Sequence, residues 1–291
     1  MRKWLRYFAK TLGVFAFCFV IGSWIVAGIL IAPAASKVTW PTGLAYSPKD
    51  VTFPATDGVK LKGWFLPQAN STSAVVLLHG VRANRDSMLA RAFWLHDLGY
   101  NVLLYDARGC GESDPAVLSF GCYETRDLLG SLRWLQMRGM TKVGCIGCSQ
   151  GAATVLLASG QLPLSVRAVV AEGSYATLRD TVDDHFRMHT RLPSGYFGAL
   201  AVPMAEWKLG LNMDDVSPLH EIRKLKVPLF IIGGTSDDLA PPTGTHQLYD
   251  AAACEKNLWM IEWAGHTDFF SYAEDQYKQR IGDFLRSHLW P

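Results

Sequence analysis

Eight short apolar runs decide what this chain can fold into. Val51–Phe53 and Leu61–Leu66 flank the turn Asp57-Gly58 as a leading hairpin. Six more follow at Ala74–Leu78, Asn101–Tyr105, Lys142–Ile146, Ala168–Ala171, Pro228–Ile232 and Leu258–Glu262. These six are continuous rather than alternating and rich in β-branched residues, as strands covered on both faces are. Longer segments of helical periodicity separate them, among them Tyr123–Met137, Gln150–Ala158 and Tyr272–Leu289. That alternation predicts an α/β fold, with a mostly parallel eight-stranded sheet flanked by helices. No repeat or polar linker divides residues 38–291, so one domain is expected there.

The spacing breaks once. About 55 residues separate Ala171 from Val227, far more than an ordinary helix-to-strand connection. This insert, taken as residues 174–226, carries Phe186, Met188, Tyr196, Phe197, Met204, Trp207 and Met213, with helix-breaking Pro193 and Pro203. An insert after a sheet strand, on the side where such folds bind ligands, reads as a small helical lid. If it covers the site, its aromatic and methionine side chains line an acyl pocket. A peripheral subdomain packed on its own aromatics is the other reading.

The N-terminus needs its own account. From Thr11 to Ser36 there is no charged residue, and Ser23 is almost the only polar group inside the run. About 20 helical residues cross a hydrocarbon core, and this run exceeds that. It also lacks the polar stripe of a buried core helix. Arg2, Lys3, Arg6 and Lys10 precede it and only Lys37 follows. Residues 1–37 are therefore expected to form a cytoplasmic tip and a single-pass membrane anchor, with the body on the non-cytoplasmic face. A cleaved signal peptide is the rival, because Ala32-Pro33-Ala34 resembles a small-x-small cleavage site, although its apolar region would be unusually long.

The net charge of +2 conceals an asymmetry. Residues 1–37 hold five cations and no acid, leaving 23 Lys and Arg against 26 Asp and Glu in the rest. A mildly acidic body is not a nucleic-acid binder. The body has an odd number of cysteines, Cys110, Cys122, Cys145, Cys148 and Cys254, which is no disulfide framework. Cys145 and Cys148 sit on a strand and the turn after it, without a second ligand pair, and read as buried small residues. Cys110 and Cys122 flank one loop and are placed to pair in an oxidising compartment.

The segment with the most chemistry is Lys142–Ala153, which contains Gly147-Cys148-Ser149-Gln150-Gly151, a G-x-S-x-G. An apolar strand leads into it and the small residues Ala152 and Ala153 follow on a helix, as a strand-to-helix nucleophile elbow requires. Ser149 is the candidate nucleophile. A serine hydroxyl needs a base held by an acid. His266 follows the last strand and Asp237 follows the strand before it, so Ser, Asp and His fall on strand ends in the order expected of a triad. Asp238 and Glu172 are reserves for the acid. The backbone amides of Val81 and Gln150 are the expected oxyanion pair, and His79 is read as a structural turn residue. The glycine loop Tyr105–Ser113 lacks the P-loop ending and the G-x-G-x-x-G spacing, so no nucleotide cofactor is implied. His185 and His189 share a helical spacing but lack an H-E-x-x-H glutamate and a third ligand, so no metal site is implied.

Five motifs occur in a shared order: LLHG ending at Gly80, D-x-R-G-x-G-x-S from Asp106 to Ser113, GCSQG, SPL…KVPLFIIGGTSDD..PP, and AGH ending at His266. Over roughly residues 48–289 the chain resembles the α/β-hydrolase superfamily, and most of all its serine-aminopeptidase-like group with membrane-anchored relatives. The resemblance implies the α/β-hydrolase fold, with Ser149 as nucleophile, Asp237 as acid and His266 as base. The activity it implies is cleavage of an ester, thioester or amide through an acyl-enzyme, on a small-molecule or lipid-like acyl substrate. Esterases, lipases, peptidases and thioesterases share the fold, so the family name does not choose among them. An acyltransferase on the same triad and a non-catalytic binding protein are the alternatives.

Overall fold

The computed structural model describes residues 2–182, 184 and 198–289. Eight strands form one sheet: β1 (Lys49–Pro54), β2 (Lys60–Leu66), β3 (Ser73–Leu78), β4 (Asn101–Tyr105), β5 (Lys142–Cys148), β6 (Val166–Glu172), β7 (Leu229–Gly234) and β8 (Lys256–Ile261). Their order across the sheet is β1-β2-β4-β3-β5-β6-β7-β8. Only the pairs β1–β2 and β2–β4 are antiparallel. Among the described residues seven longer helices accompany it: α1 (Arg2–Leu30), α2 (Leu89–Asp97), α3 (Glu124–Gln136), α4 (Gln150–Leu157), α5 (Gly198–Leu209), α6 (Pro242–Ala251) and α7 (Glu274–Leu289).

The continuous apolar strands are covered twice, as their sequence requires. Along β3, Val76 and Leu78 face a core made with Leu128 and Leu132 of α3, Val155 and Leu156 of α4 and Leu248 of α6. Val75 and Leu77 point the other way, to Ala92 and Leu95 of α2 and Tyr277, Ile281 and Leu285 of α7. Each large side chain buried in these layers contributes about 1.5–3 kcal/mol. One expectation needs correction. β8 buries only Trp259 and Ile261 and leaves Asn257 exposed instead of being covered throughout, because it is the sheet's edge.

Successive parallel strands wind outward from β3 in both directions, to β4 on one side and β5 on the other. The loops leaving the carboxyl ends of β3 and β5 therefore diverge and open a crevice, the place where such sheets bind ligands. The segments Leu78–Arg82 and Cys148–Gln150 lie there.

The apolar N-terminal run is a single helix, exposed over most of its length but not at its end. Ala27 and Ile31 are buried among Ala153, Leu157, Leu178, Val202, Ala205 and Leu209. Trp24 packs on Trp207 of α5 with ring centroids 5.4 Å apart, and Lys208 Nζ donates to Trp24 O at 3.0 Å. Ala34–Ala35 then pairs in parallel with Cys110–Gly111. Ala34 N donates to Gly109 O at 2.7 Å, Ser36 N to Gly111 O at 2.9 Å and Leu118 N to Ile31 O at 2.9 Å. Helix and body are thus joined by hydrogen bonds on both sides of the Ala32-Pro33-Ala34 segment.

Of the insert, α5, Met204, Trp207 and Met213 are described, whereas Phe186, Met188, Pro193, Tyr196 and Phe197 lie outside the described residues, as do His185 and His189. Trp207 lies on the outer face of α5. It turns outward at 74% exposure, because the inward face of α5 is occupied by Ala201, Val202, Ala205 and Leu209. Cys110 and Cys122 are both free thiols.

Candidate active site

The elbow forms where β5 turns into α4. Ser149 adopts φ 53° and ψ −117°, a left-handed backbone that a residue with a Cβ takes up only under local constraint. The constraint comes from both glycines of the motif. A Cβ on Gly147 would run into the backbone of Gly151, and one on Gly151 into the carbonyl of Leu78. Strand, helix and the β3 loop therefore approach as closely as their backbones allow. Ser149 N donates to Glu172 O at 2.7 Å, which fixes the turn to the end of β6.

Ser149 Oγ lies 3.0 Å from His266 Nε2, and His266 Nδ1 lies 2.9 Å from Asp237 Oδ2. Asp237 is buried, and its other oxygen accepts from Leu239 N at 2.9 Å and Ala240 N at 2.8 Å. An ionised carboxylate only accepts, so Nδ1 of the imidazole carries a proton and Nε2 is left to accept from the serine. Asp238, the neighbouring reserve, is exposed. Glu172 is engaged elsewhere. Its carboxylate takes Arg91 Nη2 at 2.6 Å and Nε at 3.2 Å, Tyr277 Oη at 2.5 Å and Cys148 Sγ at 3.4 Å.

That buried cluster carries no sequence motif, and reading the sequence missed it. Arg91 comes from α2 and Tyr277 from α7, and neither is marked by its neighbours in the chain. Arg91 Nη1 also reaches Asp268 at 2.6 Å, two residues beyond His266. One guanidinium thereby ties the strand end that holds Ser149 to the loop that presents the imidazole. Burial pushes the Cys148 thiol well above its ordinary range, and Glu172 adds to this over the opposing pull of Arg91, so the sulfur donates a proton to that carboxylate.

On the other side of Ser149 runs the loop His79-Gly80-Val81-Arg82. A Cβ on Gly80 would sit 3.5 Å from that of Ser149, so the loop passes directly over the serine. Among the described residues, neither Val81 N–H nor Gln150 N–H has an acceptor. His79 is buried. Its Nδ1 lies 2.7 Å from Gly80 O, and its Nε2 accepts from Ala107 N at 3.0 Å. Burial lowers its pKa, so it holds the turn as a neutral ring. Arg82, at φ 56°, sends Nη2 to Ile29 O at 2.5 Å and to Ala32 O at 3.3 Å, carbonyls at and just past the end of α1.

The glycine loop after β4 is a latch. Buried Asp106 accepts from Arg85 N at 2.7 Å, from Arg85 Nη1 and from Glu112 N at 2.9 Å. Arg108 forks onto Asp57 at 2.8 and 2.9 Å and onto Asp127 at 2.7 and 2.9 Å. The loop's charges are spent on the protein itself. Among the described residues there is no cluster of three or more metal-ligating side chains.

Comparison with known proteins agrees with this architecture. Residues 73–192 match the family model described as the alpha/beta hydrolase fold. The Bacillus subtilis protein YqkD is 29% identical over 237 residues, spanning 80% of this chain and 77% of its own. A Saccharomyces cerevisiae membrane protein, YNL320W, is 23% identical over 255 residues, with 87% and 84% covered. The esterase Pf2001 of Pyrococcus furiosus has a TM-score of 0.75 at 26% identity, over 89% of this chain and 100% of that one. Strand order, elbow and matched profile together show that this chain has the α/β-hydrolase fold.

Proposed function

We propose that the chain is a serine hydrolase, held to a membrane by α1, that cleaves an ester, thioester or amide bond through an acyl-enzyme. The unbroken relay from Asp237 through His266 to Ser149, at 2.9 and 3.0 Å, is the observation that carries this reading. Ser149 Oγ attacks the acyl carbon while His266 Nε2 takes its proton. The negative oxygen that forms is met by the amides of Val81 and Gln150. His266 then gives the proton to the leaving group, whose bond to the acyl carbon breaks. Water, deprotonated by His266, attacks the acyl-serine, releases the carboxylic acid and restores the hydroxyl. Asp237 stays ionised and holds the imidazole in the required tautomer. The chemistry asks for no cofactor.

The esterase named among the relatives supports hydrolysis, and the yeast relative described as a membrane protein supports the anchor. So does the stretch Arg6–Leu30, 25 residues at a mean hydropathy of 2.3. In this reading residues 1–37 are tip and anchor, and residues 38–291 are the catalytic body. The basic N-terminal tip puts the body on the non-cytoplasmic face. Labelling by a fluorophosphonate probe tests the assignment. We expect Ser149→Ala to abolish both labelling and turnover, the latter by about 10⁴–10⁶-fold, with an unchanged circular dichroism spectrum. Labelling that persists in this variant overturns the nucleophile.

A further inference from the structure

We propose that the mouth of this site opens onto the bilayer, and that its substrate is a long-chain acyl ester resident in the membrane. The inference rests on the membrane-anchored hydrolase reading and adds where the substrate comes from. Three observations meet.

The first is depth. Trp4 and Trp24 are 20 residues apart on α1, about 30 Å at the helical rise, which is the thickness of a hydrocarbon core. Tryptophan favours the two faces of a bilayer, and Arg6 and Lys10 reach the nearer face with their long stems. Trp24 is the residue on which Trp207 packs, with Lys208 Nζ 4.0 Å from its ring centroid. A tryptophan pair with a lysine over it is an interfacial group, so the membrane surface meets the body at α5.

The second is position. Beyond Trp24 one face of the helix packs on the body through Ala27 and Ile31 while Ile25 and Ile29 stay exposed, and its last carbonyls meet Arg82, the residue after Val81. From Trp24 to Ile29 is five residues, or about 7.5 Å along the axis. The oxyanion loop therefore lies within one or two helical turns of the membrane surface.

The third is what the rim exposes. On the loops that leave the carboxyl edge, Val81 is 42% exposed, Val117 39% and Trp263 81%, and Trp207 on α5 is 74% exposed. Val117 precedes Leu118, whose amide bonds to Ile31 of α1, and Trp263 lies between β8 and His266. Apolar side chains on the edge that carries the anchor are solvated by lipid. An acyl chain that passes over such a rim never enters water, and each methylene spared that exposure favours transfer about fourfold.

The test uses the full chain reconstituted in phosphatidylcholine vesicles. Fluorophosphonate labelling and turnover of 4-nitrophenyl acetate report the hydrolase, and retention after an alkaline carbonate wash reports the anchor. Failure of either overturns the reading beneath this one. With both in place, 4-methylumbelliferyl palmitate carried in the vesicles reports entry from the bilayer. The double variant Trp207→Ser, Val117→Ser is expected to lose palmitate turnover at least fivefold and to keep acetate turnover within twofold. Palmitate turnover that stays within twofold of wild type overturns the proposal, and so do equal losses on both esters. Trp263 gives a readout independent of activity. The emission that Trp263→Phe removes is expected to be quenched by brominated phosphatidylcholine, and unquenched emission overturns the proposal as well.

Discussion

Asp237 is held by more than the histidine it orients. Two backbone amides bind its other oxygen, so the carboxylate is in place whether or not the imidazole is protonated. Asp237→Asn keeps an acceptor for those amides but loses the charge behind the imidazolium. We expect kcat to fall about 10³–10⁴-fold, with Tm moving by only a few degrees in differential scanning calorimetry. Sequence order marked Ser149 and His266 without a rival. It left Asp237, Asp238 and Glu172 open, because choosing among them depends on which way a side chain points. Glu172, engaged with Arg91, makes its own prediction. Arg91 and Glu172 are each only 1% exposed, so removing one partner strands a buried charge. Arg91→Leu is expected to cost about 3–5 kcal/mol in urea unfolding, and Arg91→Leu with Glu172→Leu to recover part of that loss.

The strands were legible at the scale of elements because apolar runs bounded by turn residues leave little choice of period. Asn101–Tyr105 is read to the residue, and Lys142–Ile146 falls short of β5 only where the motif's own glycine and cysteine extend it. The junction of α1 with the body was not legible. It is made by backbone carbonyls of Ile29, Ala32 and Gly109, which carry no residue-type signal. Two truncations separate tethering from support. A chain lacking residues 1–22 keeps Ala27–Ser36 and is expected to turn over 4-nitrophenyl acetate in detergent within twofold of the full chain. One lacking residues 1–36 frees Arg82 and the strand Cys110–Gly111, and its kcat on the same ester is expected to fall about tenfold, as loss of one or two hydrogen bonds near the oxyanion loop implies. Equal activity of the two would mean that the end of α1 gives the site no support.

At the scale of the whole molecule, Arg108 joins parts far apart in sequence: the β1–β2 turn at Asp57, the loop after β4 and Asp127 on α3. The Arg108 fork, helped by Arg126, holds the Asp57 carboxyl well below the usual carboxylate range against the opposing effect of burial. A carboxyl depressed in the folded state adds stability above its unfolded pKa, near 3.9, and loses it as pH falls toward the folded value. Asp57→Asn is therefore expected to lower Tm at pH 7, and the gap between variant and wild type should narrow as pH drops below about 4. A gap constant from pH 7 to 3 would show that the ion pair is not what the substitution removes. The motif around Arg108 was visible in the sequence, but its partners lie up to 51 residues away and only the fold joins them. The join between α1 and the body has a further consequence. A body on a flexible linker of n residues sweeps a volume of radius about 5–6 Å times the square root of n. With Ile31 buried and Ala34 already hydrogen-bonded, this one has no such reach. Anchored by α1 as proposed above, it would work in two dimensions, on a single leaflet, meeting partners by lateral diffusion. Its rate should then follow substrate per unit area rather than per unit volume, so that expanding the membrane slows it even when no molecule is lost.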